Sequence, residues 1–330
     1  MKAVVCTKYG SPEVLQILEV EKPTPKVNEV LVKIYATTVS VGDTRIRGFK
    51  VPFSFWLPAR IALGLRKPKK SIPGSVFAGE IEIAGKDVKS FRKGDKVFAA
   101  TGHNFGANAE YICVHENSCI ALKPSNMDYK EAVAIPWGFT TALHFLRKGN
   151  ILSNQKVLIY GASGSIGTSA VQLAKYFGAH VTGVCSTLNL KLVKSLGADT
   201  VIDYTKEDFS KCGNLYDIIF DTVGKSAISA CVKALKKEGV YLHAVATPAV
   251  SARIKLASIG KRITFVGGTL IPKAEDLIYL KIIAEAGKIK AVIDKCYSLE
   301  QIAEAHAYVD TGHKKGTVVI AVAHKQSSPD

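Results

Sequence analysis

The sequence predicts an α/β protein in which a doubly wound parallel sheet is inserted into a β-rich domain. Three observations carry that expectation. Short apolar or alternating runs divided by Gly and Pro fill the first third of the chain, helical and strand-like stretches alternate from Tyr129 onward, and a glycine-spaced turn separates an apolar strand from a helix. The 330 residues suit about two domains, and 47% hydrophobic content is ample for packed cores.

In chain order, strands are expected at 3–6, 30–35, 77–83, 96–99 and 109–114, and helices at 129–134 and 140–147. Strands around Val157, Val181, Thr200, Ile218, Val240 and Ile263, each set off by a helical stretch or turn, then give a sheet of about six strands. Past Gly268 come a helix at 274–286, a strand at Cys296, a helix at 299–311 and a strand at 317–322. This tail has too few strands for a domain of its own and is expected to rejoin the N-terminal part. The resulting boundaries are 1–122, 123–268 and 269–330. No repeat or low-complexity tract is evident, and only 325–330 reads as a disordered end.

The turn itself carries the chemistry. Val157 to Tyr160 read as a buried strand, Gly161, Gly164 and Gly167 bring backbone N–H groups within reach of a phosphate, and Val171, Leu173 and Ala174 continue with helical spacing. The spacing is GxxGxxG rather than GxGxxG, so the glycines alone are a weak signal, and a turn that binds nothing is the competing reading. A second strand at 181–185 completes a Rossmann-type βαβ unit, which points to a dinucleotide held by Gly161, Ser163, Gly164, Ser165, Ile166 and Gly167. An NAD site places an acid at the end of that second strand; here Ser186, Thr187 and Asn189 offer hydrogen-bond donors and Lys191 a charge. The group therefore predicts NADPH over NADH, although each residue singly also reads as a loop or helix-cap residue.

Composition narrows the alternatives. No window approaches a membrane span, and residues 1–10 read as a strand rather than a leader, so a cytoplasmic protein is expected. The seven cysteines, Cys6, Cys113, Cys119, Cys185, Cys212, Cys231 and Cys296, form no CxxC pair and suggest neither a disulfide framework nor a clustered zinc site. Cys185 is either a reactive thiol near the cofactor or core filler. The formal net charge is +16, and half of it is local: no acid occurs between Asp43 and Glu80, while Arg45, Arg47, Lys50, Arg60, Arg66, Lys67, Lys69 and Lys70 do. Phe49, Phe53, Phe55, Trp56, Leu57, Ile61, Leu63 and Leu65 are interleaved with them. That mixture suits a lid over an apolar or anionic substrate, a membrane surface or nucleic acid, with a solvated loop as the bland reading.

Several motifs in one order then resemble a known family. They are Met1-Lys2-Ala3, Gly94-Asp95-Lys96-Val97, Gly106 to Tyr111 as GxxAEY, Pro136 to Ala142, the Gly161 to Gly167 turn, Leu196-Gly197-Ala198-Asp199, Asp221-Thr222-Val223-Gly224 and Gly316 to Ile320. The chain resembles a medium-chain dehydrogenase/reductase, and within that superfamily the zinc-independent quinone oxidoreductases and NADPH-dependent enone reductases. The resemblance implies a GroES-like catalytic domain for the β-rich part. At the positions matching the zinc ligands of the alcohol dehydrogenases stand Ser40 and Ser75, which supply neither thiolate nor imidazole, so no metal is expected.

Without a metal, a conjugated acceptor is expected, because its developing anion is delocalised and hydrogen bonds suffice to stabilise it. By resemblance Ser40 lies near the nicotinamide as a donor, with a turn cap as the equal alternative. Asp43 is expected to fix its loop or act directly, and Arg45 or Arg47 to hold an anionic group or form a surface ion pair. Trp137 is a pocket wall or core residue. Thr141, Ile166, Tyr204, Val223, Val245 and Lys315 match residues that line the family's cofactor. Tyr9, Tyr35 or water are the candidate proton donors. Homodimers are common in the family, but the strand near 263–268 is not diagnostic. Two functions stand: an NADPH-dependent reductase of quinones or α,β-unsaturated carbonyls, or a cofactor-binding protein working mainly in RNA or membrane-surface association through residues 45–70.

Overall fold

The computed structural model describes residues 1–51, 56–211, 213, 215–268 and 270–324. Phe53, Phe55, Cys212 and the expected disordered end at 325–330 lie outside them. The first part of the chain forms β1 (Lys2–Cys6), β2 (Leu15–Glu19), β3 (Glu29–Val39), α1 (Val41–Arg47), α2 (Trp56–Leu63), β4 (Val76–Ala84), β5 (Lys96–Ala100), β6 (Tyr111–His115), β7 (Ile120–Leu122) and α3 (Tyr129–Val133). The middle forms α4 (Ile135–Lys148), β8 (Lys156–Tyr160), α5 (Ser165–Tyr176), β9 (His180–Cys185), α6 (Leu190–Ser195), β10 (Thr200–Asp203), β11 (Tyr216–Asp221), α7 (Ile228–Ala234), β12 (Leu235–His243), α8 (Pro248–Ala257) and β13 (Thr264–Gly267). The end forms α9 (Ala274–Glu285), β14 (Ile293–Ser298), α10 (Ile302–Asp310) and β15 (Thr317–Ala321).

Two compact units result: Met1–Pro136, Pro272–Glu285 and Ile293 onward in the first, Trp137–Ile271 and Ala286–Val292 in the second. The first boundary falls at Pro136 rather than at residue 122, because α3 packs on β3, β4 and β5 and buries Ala132 and Val133 there. Nor is the tail one block. Residues 286–292 lie with the second unit, tied by hydrogen bonds between Lys290 and the Gln172 side chain at 2.8 and 3.1 Å.

In the first unit β1 and β2 form an antiparallel ladder, and a mixed seven-stranded sheet runs β14-β15-β3-β4-β5-β7 with β6 also on β3. β3 is its spine: Val30, Leu31, Val32, Ile34 and Ala36 are buried, and Val32 and Ile34 share a core with Phe77, Ile81, Val97, Ile302 and Val309. A Cβ on Gly79 would lie 2.1 Å from the Lys33 carbonyl oxygen, so only glycine allows β4 to approach β3 this closely.

The second unit holds the doubly wound sheet. Its six strands are all parallel and ordered β10-β9-β8-β11-β12-β13. Val157, Leu158 and Ile159 of β8 are 0% exposed, as a strand covered on both faces requires and as its unbroken apolar run predicts. Strand order reverses between β8 and β11. Ligands of such sheets sit beyond the strand ends at that switch point, and the glycine turn follows β8 there.

Candidate functional site

The three glycines of the turn do different things. Gly161 has φ +78, a left-handed conformation, and a Cβ on it would lie 2.8 Å from Val223 Cγ1 and 2.9 Å from Thr222 Oγ1. At Gly167 a Cβ would stand 2.1 Å from the Gly161 carbonyl oxygen, so Gly167 is what lets α5 pack against the turn. Gly164 meets nothing nearer than 3.6 Å, so the space before it is open. It is also the N-cap of α5 and offers no side-chain cap, which leaves the first amides of that helix facing an open surface with no acid in the first turn. This is the arrangement that binds a pyrophosphate. Ser163, Gly164, Ser165 and Ile166 are all part-exposed around it. Behind the turn, a Cβ on Gly138 would reach 2.7 Å from the Ser165 carbonyl oxygen, so α4 is packed hard against the start of α5.

The residues expected at the adenosine end come together at the ends of β9 and β10. Asn189 is buried and its Nδ2 donates to Ser163 Oγ at 3.1 Å and to Ser186 Oγ at 3.2 Å, joining the glycine turn to the loop after β9. Its Oδ1 is buried without a hydrogen-bond partner, a polar atom placed beside the turn with bonding capacity left over. Lys191 and Tyr204 are exposed nearby in the chain. Thr187 departs from expectation: its hydroxyl donates to Asp203, which also accepts from Thr205 N at 3.0 Å and Thr205 Oγ1 at 2.7 Å. Thr187 is thus committed to an acid at the end of β10 and has no hydroxyl proton left over for a phosphate. These hydrogen bonds, led by that of Thr187, hold the Asp203 carboxyl below the usual range.

At the end of β11, Asp221 of the Asp221-Thr222-Val223-Gly224 motif, to which the sequence analysis gave no role of its own, organises the following loop. Asp221 is 0% exposed; its Oδ1 accepts from Val223 N at 3.0 Å and Gly224 N at 2.6 Å, and its Oδ2 from Ser226 N at 3.0 Å and from the Ser226 hydroxyl. Thr222 Oγ1 donates to Tyr160 O at 2.9 Å and Gly161 O at 3.2 Å, stitching this loop to the glycine turn. Val223 and Val245 are part-exposed. His243, at the end of β12, stands 3.9 Å from Asp221, and burial lowers its pKa against the pull of that carboxylate. The signal for Asp221 was present: a charge closing the apolar run Ile218-Ile219-Phe220, three residues before Gly224.

The remaining residues have fixed local duties. Thr141 is buried and its hydroxyl donates to the Trp137 carbonyl at 2.7 Å; Trp137 itself is part-exposed. In the first unit Ser40 is the N-cap of α1: its Oγ accepts from Asp43 N at 3.2 Å and donates to Asp43 Oδ2 at 2.6 Å, while Ser40 N donates to the same oxygen at 2.8 Å. The capping alternative is therefore the one observed, and the hydroxyl proton is engaged. Burial pushes the Asp43 carboxyl up, opposed by these bonds and by the Gly74 amide. Arg47 does not await an anion: it is buried, pairs with Asp310 and donates to Gly10 O at 3.1 Å. Arg45 is exposed on α1. The Lys315 amide donates to Asp294 at 2.8 Å, and Lys314 beside it, absent from the sequence expectations, is held down to about 8 by its surroundings. Cys185 is core filler, 2% exposed and pushed up to about 11 by burial.

A two-unit fold with a glycine turn, an uncapped phosphate-facing helix and a doubly wound sheet defines a nicotinamide-dependent dehydrogenase. Comparison with known proteins makes this specific. The model described as alcohol dehydrogenase GroES-like domain matches residues 26–124, and the one described as zinc-binding dehydrogenase matches 196–320. A 2-methylene-furan-3-one reductase of Solanum lycopersicum is 35% identical over 97% of this chain and 79% of its own. An NADPH-dependent alkenal/one oxidoreductase of Arabidopsis thaliana is 32% identical over the same shares. The solved quinone oxidoreductase of Coxiella burnetii superposes with a TM-score of 0.87 at 27% identity, covering 98% of this chain and 99% of that one. The chain belongs to the medium-chain dehydrogenase/reductase superfamily, with quinone oxidoreductases and enone reductases as its relatives. Among the described residues no group of three or more His, Cys, Asp and Glu is arranged to hold a metal ion.

Proposed function

We propose that the protein uses NADPH to reduce a quinone or an α,β-unsaturated carbonyl. The observation that carries the reading is the open Gly164 face, where the uncapped first amides of α5 can donate to a pyrophosphate; Asn189 Oδ1, buried and unpartnered beside it, can accept from a ribose hydroxyl toward the adenosine end. The Gly161 to Gly167 turn and the first amides of α5 would hold the pyrophosphate. Ser186, Asn189, Lys191 and Tyr204 would take the adenosine end with its extra phosphate, and Val223 and Val245 the channel walls. Bound there, NADPH supplies a hydride.

The acceptor class follows from what the chain's own groups provide. Ser40 and Ser75 stand at the positions of the alcohol dehydrogenases' zinc ligands and carry hydroxyls, and the Ser40 proton is committed to Asp43. A conjugated acceptor spreads its developing negative charge over several atoms and asks least of its surroundings. The names of the relatives, a 2-methylene-furan-3-one reductase, an NADPH-dependent alkenal/one oxidoreductase and a quinone oxidoreductase, support the same class. Tyr9 donates its hydroxyl proton to Gly64 O at 3.0 Å, and we assign the proton that completes the product to water.

The test is an NADPH-oxidation screen over quinones, enones, aldehydes and simple alcohols, each with and without chelator. Turnover of quinones or enones that is indifferent to chelator is expected. Alcohol-dehydrogenase activity abolished by chelator would overturn the reading.

A further inference from the structure

The segment that carries half the excess charge is arranged in an unusual way. α2 has one charged residue among its eight, Arg60, and that residue turns inward: its guanidinium carbon lies 3.9 Å from the Phe49 ring centre, 4.8 Å from Tyr9 and 5.2 Å from Trp56. Nη1 of Arg60 donates to Leu65 O at 2.6 Å. The apolar side chains turn outward. None of the helix is buried, and Trp56 is 46% exposed, Leu57 61%, Ile61 61% and Leu65, just past the helix, 70%. A surface helix of a water-facing protein has the opposite polarity.

Immediately after this apolar patch come Arg66, Lys67, Lys69 and Lys70, all exposed; Lys69 Nζ donates to the Ile61 carbonyl at 2.7 Å, which holds its charge beside the patch, and no acid lies between Asp43 and Glu80 in the chain to neutralise the four. Two demands are thus made on one partner: an apolar phase for aliphatic side chains and anions for four cations. We propose that α2 and the Leu65 to Lys70 turn form a docking surface for an anionic lipid membrane. Trp56, Leu57, Ile61 and Leu65 enter the headgroup boundary while the cations bind lipid phosphates. Nucleic acid meets only the second demand, since Leu57, Ile61 and Leu65 do not stack on bases. A second copy of this chain meets only the first, because each copy brings the same cations and a net charge of +16. Among the described residues no helix is long and apolar enough to cross a membrane, so the attachment is peripheral. The proposal needs neither the cofactor nor the acceptor and stands apart from them.

The experiment is cosedimentation of the full chain with vesicles of phosphatidylcholine alone and of phosphatidylcholine containing phosphatidylglycerol. Partition at least ~10-fold stronger onto the anionic vesicles is expected, weakening as salt is raised. Leu57→Asp with Ile61→Asp should reduce it by ~10-fold or more while NADPH affinity and thermal midpoint stay at wild-type values, because these side chains support no core. Arg66→Glu with Lys67→Glu should do the same. As an independent readout, anionic vesicles should shift tryptophan emission to the blue, and Trp56→Phe should abolish the shift. Equal partition onto both vesicles, or unaltered binding by the apolar pair of substitutions, overturns the proposal. So does single-stranded RNA binding, or concentration-dependent dimerisation, that those substitutions remove in place of vesicle binding.

Discussion

Gly164 and Gly167 lie three residues apart and answer to different forces. An added methyl at Gly167 meets backbone 2.1 Å away, whereas one at Gly164 meets nothing within 3.6 Å on a backbone that any residue can adopt. Gly167→Ala should therefore lower the unfolding midpoint, at a cost of about 2–4 kcal/mol as overpacking against rigid backbone implies. Gly164→Ala should cost no more than about 1 kcal/mol, the loss of a better N-cap residue, and weaken NADPH ~10-fold or more, read by calorimetric titration. Ser40 gives a second residue-scale test. As a cap, Ser40→Ala should cost about 1–2 kcal/mol in denaturant unfolding with kcat changed less than ~3-fold; a fall in kcat of ~100-fold would restore it as a donor to the reacting oxygen. Residue identities made the turn legible, because glycines flanked by strand and helix leave few alternatives. They did not reveal Asp203, which lies 17 residues past Ser186 in sequence and reaches Thr187 only because β10 pairs with β9 in register.

Elements, not residues, hold the loop at the end of β11, the proposed far wall of the cofactor channel. The loop between β11 and α7 is suspended from the four donors to the Asp221 carboxylate. Asp221→Asn places an NH2 group against two of those donors and should cost about 2–4 kcal/mol while weakening NADPH; unchanged affinity in a folded variant would show that the loop does not position the cofactor. α10 carries a pH dependence. His306 is 0% exposed with both ring nitrogens unpartnered, and burial, aided by Arg47 and resisted by Asp310, pushes its pKa down to about 3. Below the unfolded value of 6.5 the unfolded chain takes up a proton that the folded chain refuses. Stability should therefore fall with pH from about 6.5 toward 3, with a slope of up to ~1.4 kcal/mol per pH unit from this group. His306→Leu should remove that component, as chemical denaturation at several pH values would show.

The same scale explains which elements the sequence announced. β8 and β11 are buried on both faces and carry the apolar runs Val157-Leu158-Ile159 and Ile218-Ile219-Phe220, and β3 and β4 bracket their expected spans. β2 and β7 were not expected. β7 is three residues long with Leu122 45% exposed, and β2 exists through its ladder with β1, so pairing rather than local pattern creates both. α2 was hidden because its apolar residues face outward. α4 starts at Ile135, five residues before the expected start, since Pro136 sits in its first turn, where a missing N–H costs nothing.

At the scale of the molecule, the change from β-rich to alternating segments disclosed two architectures in one chain, and it did so because antiparallel and parallel sheets impose different sequence periods. What that change did not locate was the boundary, at Pro136 rather than residue 122, or the return of 286–292 to the second unit, both decided by packing between distant segments. The alternatives left open for Ser40, nicotinamide-side donor or turn cap, and for Arg47, anion holder or ion pair, were the least legible, because a hydroxyl or guanidinium in sequence carries no record of the partner that occupies it. We propose metal-independent hydride transfer from NADPH to a conjugated carbon. Its direct test is to incubate chelator-treated protein with NADPH carrying deuterium at both C4 positions and a conjugated enone, and to weigh the product. One deuterium on the saturated carbon is predicted; product without deuterium, or turnover only after zinc is restored, would contradict it.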